Sequence, residues 1–165
     1  MKIVPFSPGF ETEVVNLIVG IQRDEFELDI DADRQPDLRS IRSFYQVNSG
    51  NFWLARTNEQ IVGTISLLDI GRGQGALRKM FVHPEFRGAA FGTARLLLNA
   101  LLDWAAEHRF RELFLGTTPF FHAAHRFYEK HGFSEILRSE LPPAFPIMEV
   151  DAKFYRLQLP RRADA

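Results

Sequence analysis

Leu77-Arg78-Lys79-Met80-Phe81-Val82, His83-Pro84-Glu85-Phe86, Arg87-Gly88-Ala89-Ala90-Phe91-Gly92-Thr93-Ala94 is the stretch on whose reading the fold turns. The first six residues read as a strand, closed before Pro84, which cannot donate to a sheet ladder. From Gly92 to His108, Ala94, Leu97, Leu98, Leu101, Leu102 and Ala105 form an apolar stripe at helical period. Arg95, Asn99, Asp103 and Glu107 lie opposite it. A strand, a tight turn rich in small residues and a helix form a layout suited to an anion. The first turn of a helix carries unpaired N–H groups and partial positive charge, and small residues let the backbone approach closely. Glycines here would serve helix packing equally well, so the turn alone decides nothing.

Outward from this stretch the chain alternates between the two periods. Lys2 to Phe6 reads as a strand, and Phe10 to Asp24, with Val14, Leu17, Ile18 and Ile21, as a helix. Residues 25–33 alternate acidic and apolar side chains as an acidic loop or short edge strand. Pro36 then opens a short helix through Tyr45. Residues 51–56 and 61–69 flank a polar turn and read as an antiparallel hairpin, with Ala76–His83 as the next strand. Arg111–Thr117 predicts a strand, His122–His131 a short helix ended by Gly132, and Phe133–Ser139 and Val150–Leu159 two last strands. The order is mixed α/β, without an internal repeat or a linker that would split it.

Composition narrows the function. Twenty Lys and Arg balance 21 Asp and Glu, so no global field draws the chain to nucleic acid or to an anionic membrane. The chain has no cysteine, which excludes thiolate nucleophiles and thiolate metal sites, and its five histidines form no H-E-x-x-H pattern, so no metal is expected. No leader and no apolar run of membrane length are visible, which reads as a cytoplasmic protein. The 16 Phe fall at strand and helix spacings, where core packing accounts for them.

A second motif, Ala124-His125-Arg126-Phe127-Tyr128-Glu129-Lys130-His131-Gly132-Phe133, lies downstream. Its aromatics alone read as core. Together with Arg87-x-x-Ala90-x-Gly92, however, it resembles the GNAT superfamily of N-acetyltransferases. That family carries Arg or Gln, two residues, Gly, one residue, then Gly or Ala, and later a helix and strand ending in "FYEKxGF". The resemblance runs from about Lys2 to Leu159 and departs at Ala90, where a positive φ would strain the added methyl. It implies an α/β fold with a mixed, mostly antiparallel central sheet of about six to seven strands flanked by about four helices. One domain over residues 1–160 and a flexible tail over 161–165 are expected.

The resemblance also implies chemistry. Main-chain amides of Phe81, Val82, Arg87, Gly88, Ala89, Ala90, Phe91, Gly92 and Thr93 would hold the pyrophosphate and pantetheine of acetyl-CoA. Tyr128 would protonate the departing thiolate as a primary amine of a small molecule or peptide attacks directly. The glutamate that many relatives carry near this strand is missing from Ala76-Leu77-Arg78-Lys79-Met80. Asp69, Glu25, Glu27, Asp29 and Asp31 are therefore the carboxylates available as a base, with His122 and His125 as relays. Arg78 and Lys79 would either bind an acidic acceptor or decorate the strand. Ala90 and the missing glutamate motivate an alternative, a non-catalytic acyl-CoA sensor. A homodimer is possible by resemblance.

Overall fold

A computed structural model describes residues 1–27, 31 and 33–160. The strands are β1 (Lys2–Pro5), β2 (Asn51–Arg56), β3 (Ile61–Gly71), β4 (Gln74–Val82), β5 (Glu112–Thr117), β6 (Ser134–Ile136) and β7 (Lys153–Gln158). The helices are α1 (Glu11–Phe26), α2 (Ile41–Phe44), α3 (Thr93–Glu107) and α4 (His122–Lys130). The strands form one seven-stranded sheet in the order β1-β2-β3-β4-β5-β7-β6. The mixed α/β class and the numbers of strands and helices agree with the sequence reading. The chain divides into two compact units, Met1–Leu68 with Arg78–Trp104, and Asp69–Leu77 with Ala105–Ala165.

In the first unit, β1 and β2 pair antiparallel from Lys2↔Arg56 to Pro5↔Trp53, and β2 pairs antiparallel with β3. Val14 and Ile18 of α1 pack with Leu38, Ile41, Tyr45, Phe52 and Leu54 into one buried cluster. Each such side chain contributes about 1.5–3 kcal/mol of transfer free energy. The helical stripe of α3 is buried through Leu97, Leu98 and Leu101. Trp104 at the end of this unit donates Nε1–H to the Ser49 carbonyl at 2.8 Å.

The predicted helix from Pro36 to Tyr45 is two pieces, a 3-10 turn at Pro36–Arg39 and the single turn of α2. Ser40 separates them at φ −138°, which no helix accommodates. Asp37 and Leu38 on one side of the break and Ile41 and Tyr45 on the other are all buried.

In the second unit, β5 runs parallel to the first residues of β4, with Gln74↔Glu112 and Ala76↔Phe114 in register. On its other side β5 pairs antiparallel with β7, and β6 pairs with β7 in turn. Leu113, Phe114, Leu115, Phe133, Phe154 and Tyr155 supply the core. The two final strands are shorter than predicted. The Leu137 N–H is taken by the Glu140 carboxylate at 2.6 Å, which turns the chain after Ile136, and Asp151 accepts the Met148 N–H at 2.9 Å before β7 begins. No helix among the described residues is long and apolar enough to cross a membrane.

Gly63 of β3 sets the closeness of α3. A Cβ there would stand 2.9 Å from Leu97 Cδ1 and 3.2 Å from the Phe81 carbonyl oxygen. The leucine tip can swing aside, but the carbonyl belongs to β4. Gly63→Ala is expected to destabilise the fold by about 1–3 kcal/mol, read from the urea midpoint, and an unchanged midpoint would show that the layers are not in this contact.

Candidate active site

Strand β4 ends at Val82, and His83 turns the chain. Its N–H still donates to the Val62 carbonyl at 2.8 Å, while its Nδ1 accepts from the Glu85 N–H at 3.1 Å and caps the 3-10 turn Pro84–Phe86. Arg87 is extended, at φ −88° and ψ 162°. Positive φ then falls on Gly88 at 98° and Gly92 at 63°, and Ala90 is not among the left-handed residues. The strain expected of a methyl at Ala90 is therefore absent, because the two glycines carry the left-handed turns.

The Gly88 carbonyl accepts from the N–H groups of Phe91 at 3.2 Å and Gly92 at 3.1 Å, closing the loop. Gly92 accepts the Leu96 N–H at 2.9 Å, the first helical bond of α3, so the N–H groups of Thr93, Ala94 and Arg95 precede any intrahelical acceptor. Phe91 stands 48% exposed on the loop and packs against Phe86 at 5.5 Å.

The Arg87 side chain is committed elsewhere. Its Nε donates to the Val82 carbonyl at 2.8 Å, and its two terminal nitrogens grip the Glu25 carboxylate, with Nη2 2.6 Å from Oε2. A bidentate pair of this kind is directional as well as attractive. It fixes the loop's first residue to the last turn of α1 and leaves the main chain as this position's contribution to an anion site. Of the carboxylates read as bases, Glu25 is taken by this pair, Glu27 follows α1 at φ 50°, Asp31 accepts the Arg34 N–H and Asp69 accepts the Gly71 N–H. Asp29 lies outside the described residues.

Sequence reasoning missed a buried polar cluster on β4. The Lys79 ammonium lies 2.6 Å from Gln35 Oε1 and 3.5 Å from Asp37 Oδ2, both partners in the ion pair being nearly inaccessible. Asp37 also accepts the Tyr45 hydroxyl at 2.5 Å, and Gln35 pairs with Gln22 through reciprocal amide bonds. Burial lowers the Lys79 pKa, partly offset by Asp37, and burial raises that of Tyr45. Nothing in the local sequence signals this cluster, since its members are spread over up to 57 positions and meet only in the fold.

In the second unit, Tyr128 sits on α4 and is 6% exposed, edge-on to Phe133 at 5.6 Å and tilted against Tyr155 at 6.1 Å. Its hydroxyl has no hydrogen-bond partner among the described residues, and burial raises its pKa, so it stays protonated at neutral pH. Gly132 at φ 92° ends α4, and the Phe133 N–H closes on the Tyr128 carbonyl at 3.0 Å. His125 is buried, its Nε2 donating to the Thr118 carbonyl at 2.8 Å, which pins the ring. Among the described residues no cluster of three or more His, Asp or Glu is arranged to hold a metal.

Comparison with known proteins identifies the family and the fold. Residues 16–133 match the family described as Acetyltransferase (GNAT) family. A crystal structure of an acetyltransferase of GNAT family from Staphylococcus aureus Mu50 is 38% identical with a TM-score of 0.91, covering 96% of this chain and 99% of that one. The N-acetylaspartate synthetase of Danio rerio is 29% identical over 143 residues, covering 79% of this chain and 49% of its own length. The chain thus spans about half the length of the curated relatives it matches. N-acetylglutamate synthase from Neisseria gonorrhoeae, solved with coenzyme A and N-acetyl-glutamate, shares the fold at 17% identity and a TM-score of 0.74, covering 97% of this chain and 35% of that one.

The buried ion pair generates a test with a defined sign. Asp37→Asn leaves the Lys79 ammonium without its counter-charge and is expected to cost about 3 kcal/mol near neutral pH. Burial holds the folded-state pKa of Lys79 below its unfolded value, and losing Asp37, which raises it, lowers it further, so the variant gains more stability than the wild type as pH rises. The variant's deficit should therefore shrink as pH rises toward about 10.4, the unfolded lysine value. Urea titrations at several pH values check this, and a pH-independent deficit would contradict it.

Proposed function

The chain belongs to the acetyltransferase (GNAT) family, and from that premise we propose that it is an N-acetyltransferase carrying the acetyl group of acetyl-CoA to a primary amine by direct attack. The observation that carries this reading is the Arg87–Thr93 loop. Two left-handed glycines shape a turn that runs into the unpaired N–H groups of α3, and Arg87 is held aside by Glu25. Amides of Gly88, Ala89, Ala90 and Thr93 supply donors of the kind a pyrophosphate takes, whereas those of Phe91 and Gly92 already donate to the Gly88 carbonyl and that of Arg87 to the Pro84 carbonyl. Phe81 and Val82 supply main chain for the pantetheine and for polarising the acetyl carbonyl.

Tyr128 is the proton donor in this reading. A thiolate leaving coenzyme A needs a proton, and a buried hydroxyl that is protonated and uncommitted among the described residues suits that step. The amine nitrogen forms the bond to the acetyl carbon as the carbon–sulfur bond breaks. The nitrogen's proton leaves to solvent or to a carboxylate, and the sulfur takes the tyrosine's. The sensor alternative loses one of its two motives, since Ala90 sits without left-handed strain.

The first experiment is calorimetric titration with acetyl-CoA, followed by thiol-release assays over a panel of amines. The likeness to an N-acetylaspartate synthetase puts aspartate at the head of that panel. Binding with release on an amine supports the transferase, and binding without release on any amine supports the sensor. Tyr128→Phe is expected to lower kcat about 10²-fold with the acetyl-CoA KM nearly unchanged, and unaltered turnover would remove the tyrosine from the proton step. In the loop, Gly88→Ala forces a methyl into a left-handed turn and should weaken acetyl-CoA binding about tenfold. Ala90→Gly should leave affinity within about twofold, because no left-handed conformation is needed there. The reverse ranking would mean that the loop does not hold the phosphates in this way.

A further inference from the structure

Strand β4 is kinked at a lysine. Lys79 has φ 55° inside the strand, whereas the other non-glycine residues at positive φ among those described, Glu27, Asn48, Arg72 and Arg109, lie at helix ends or in turns. A side chain other than that of Gly or Asn is strained in that conformation, so the lysine must be held there by its contacts. The ammonium is bound to Gln35 and Asp37, which belong to the turn before α2. The kink also breaks the alternation of side chains along the strand. Arg78 places its guanidinium 5.9 Å from the Tyr45 ring, and Lys79 reaches Asp37, the acceptor of that same tyrosine's hydroxyl. On β3, the Ser66 hydroxyl donates to the Arg78 carbonyl at 2.8 Å and the Thr64 hydroxyl to the Lys79 carbonyl at 2.7 Å. Both hydroxyls are on fully buried residues. The strand is thus gripped on both carbonyls and on the side chain at the point where it turns, two residues before Phe81.

We propose that Lys79 is a positioning residue for acetyl transfer: anchored by Asp37 and Gln35, it holds β4 in the kinked path that aims the main chain of Phe81 and Val82. This rests on the transferase reading above. Strain of this kind persists where surrounding contacts over-determine it, and a strand amide set by such a kink has an orientation that a regular ladder would not allow. The lysine itself touches no reactant in this assignment. Its effect passes through the backbone.

The test uses two double variants of the whole chain, Lys79→Met/Asp37→Asn and Lys79→Gly/Asp37→Asn. Neither leaves a buried carboxylate without its cation. Methionine fills the space but removes the anchor, whereas glycine removes the anchor and tolerates the left-handed turn. In the methionine variant the amide resonances of Phe81 and Val82 should move, and kcat should fall about tenfold or more with the acetyl-CoA KM within about twofold. The glycine variant should retain the wild-type amide positions and recover most of the lost kcat. Equal losses in both variants, or an unchanged kcat in the methionine variant, would overturn the assignment. Should the wild-type protein release no thiol from any amine, the transferase reading fails by itself. The amide positions still decide the anchor: movement with methionine but not glycine supports it, and no movement in either overturns it.

Discussion

A lysine ammonium taken out of water needs a counter-charge and hydrogen-bond acceptors, and in this protein that requirement organises the first unit around β4. Asp37 supplies the charge, Gln35 the acceptor, and Tyr45 satisfies the aspartate in turn. The segment that carries these groups breaks at Ser40 instead of continuing as one helix. The same residues that bury Leu38 and Ile41 in the core present Asp37 to the strand. Packing and polar satisfaction are therefore one arrangement here, and neither can change without the other.

The loop that follows β4 inherits its position from this frame. Arg87 binds back to the Val82 carbonyl and across to Glu25, so the loop begins at a fixed point. Gly88 and Gly92 then turn the chain into α3, and α3 approaches β3 closely because Gly63 has no side chain to hold it off. A helix start with unpaired N–H groups suits a phosphate only if the chain before it is ordered, and here ion pair, glycine turns and helix packing each order a different part.

The second unit solves a different problem. Burial among aromatic rings keeps the Tyr128 hydroxyl protonated without a charged neighbour, which is the state the proposed proton donor needs. Tyr128 lies against Phe127, Phe133 and Tyr155. The Tyr155 hydroxyl, in contrast, donates to Glu129 at 3.1 Å. Two tyrosines in contact thus differ in availability, because only one has a partner among the described residues.

Much of this was legible in the sequence, for physical reasons. Period 3.6 in α1 and α3, the apolar runs of β2 and β3, proline after β4 and glycine after α4 are local signals, and the elements lie close to where those signals put them. The spacing of Arg87, Gly92, Tyr128 and Gly132 was enough to suggest the family. Other features belonged to the tertiary structure alone. The insertion of β7 between β5 and β6 depends on pairing between strands remote in sequence. Ala90 is relaxed because Gly88 and Gly92 take the left-handed turns, a division among neighbours that no single residue announces. The left-handed φ of Lys79 and its pairing with Asp37 were invisible, because a charged residue in a strand reads as solvated until the fold surrounds it. Local periodicity determined which elements form. Long-range burial decided which charges must meet, since only the folded chain removes them from water.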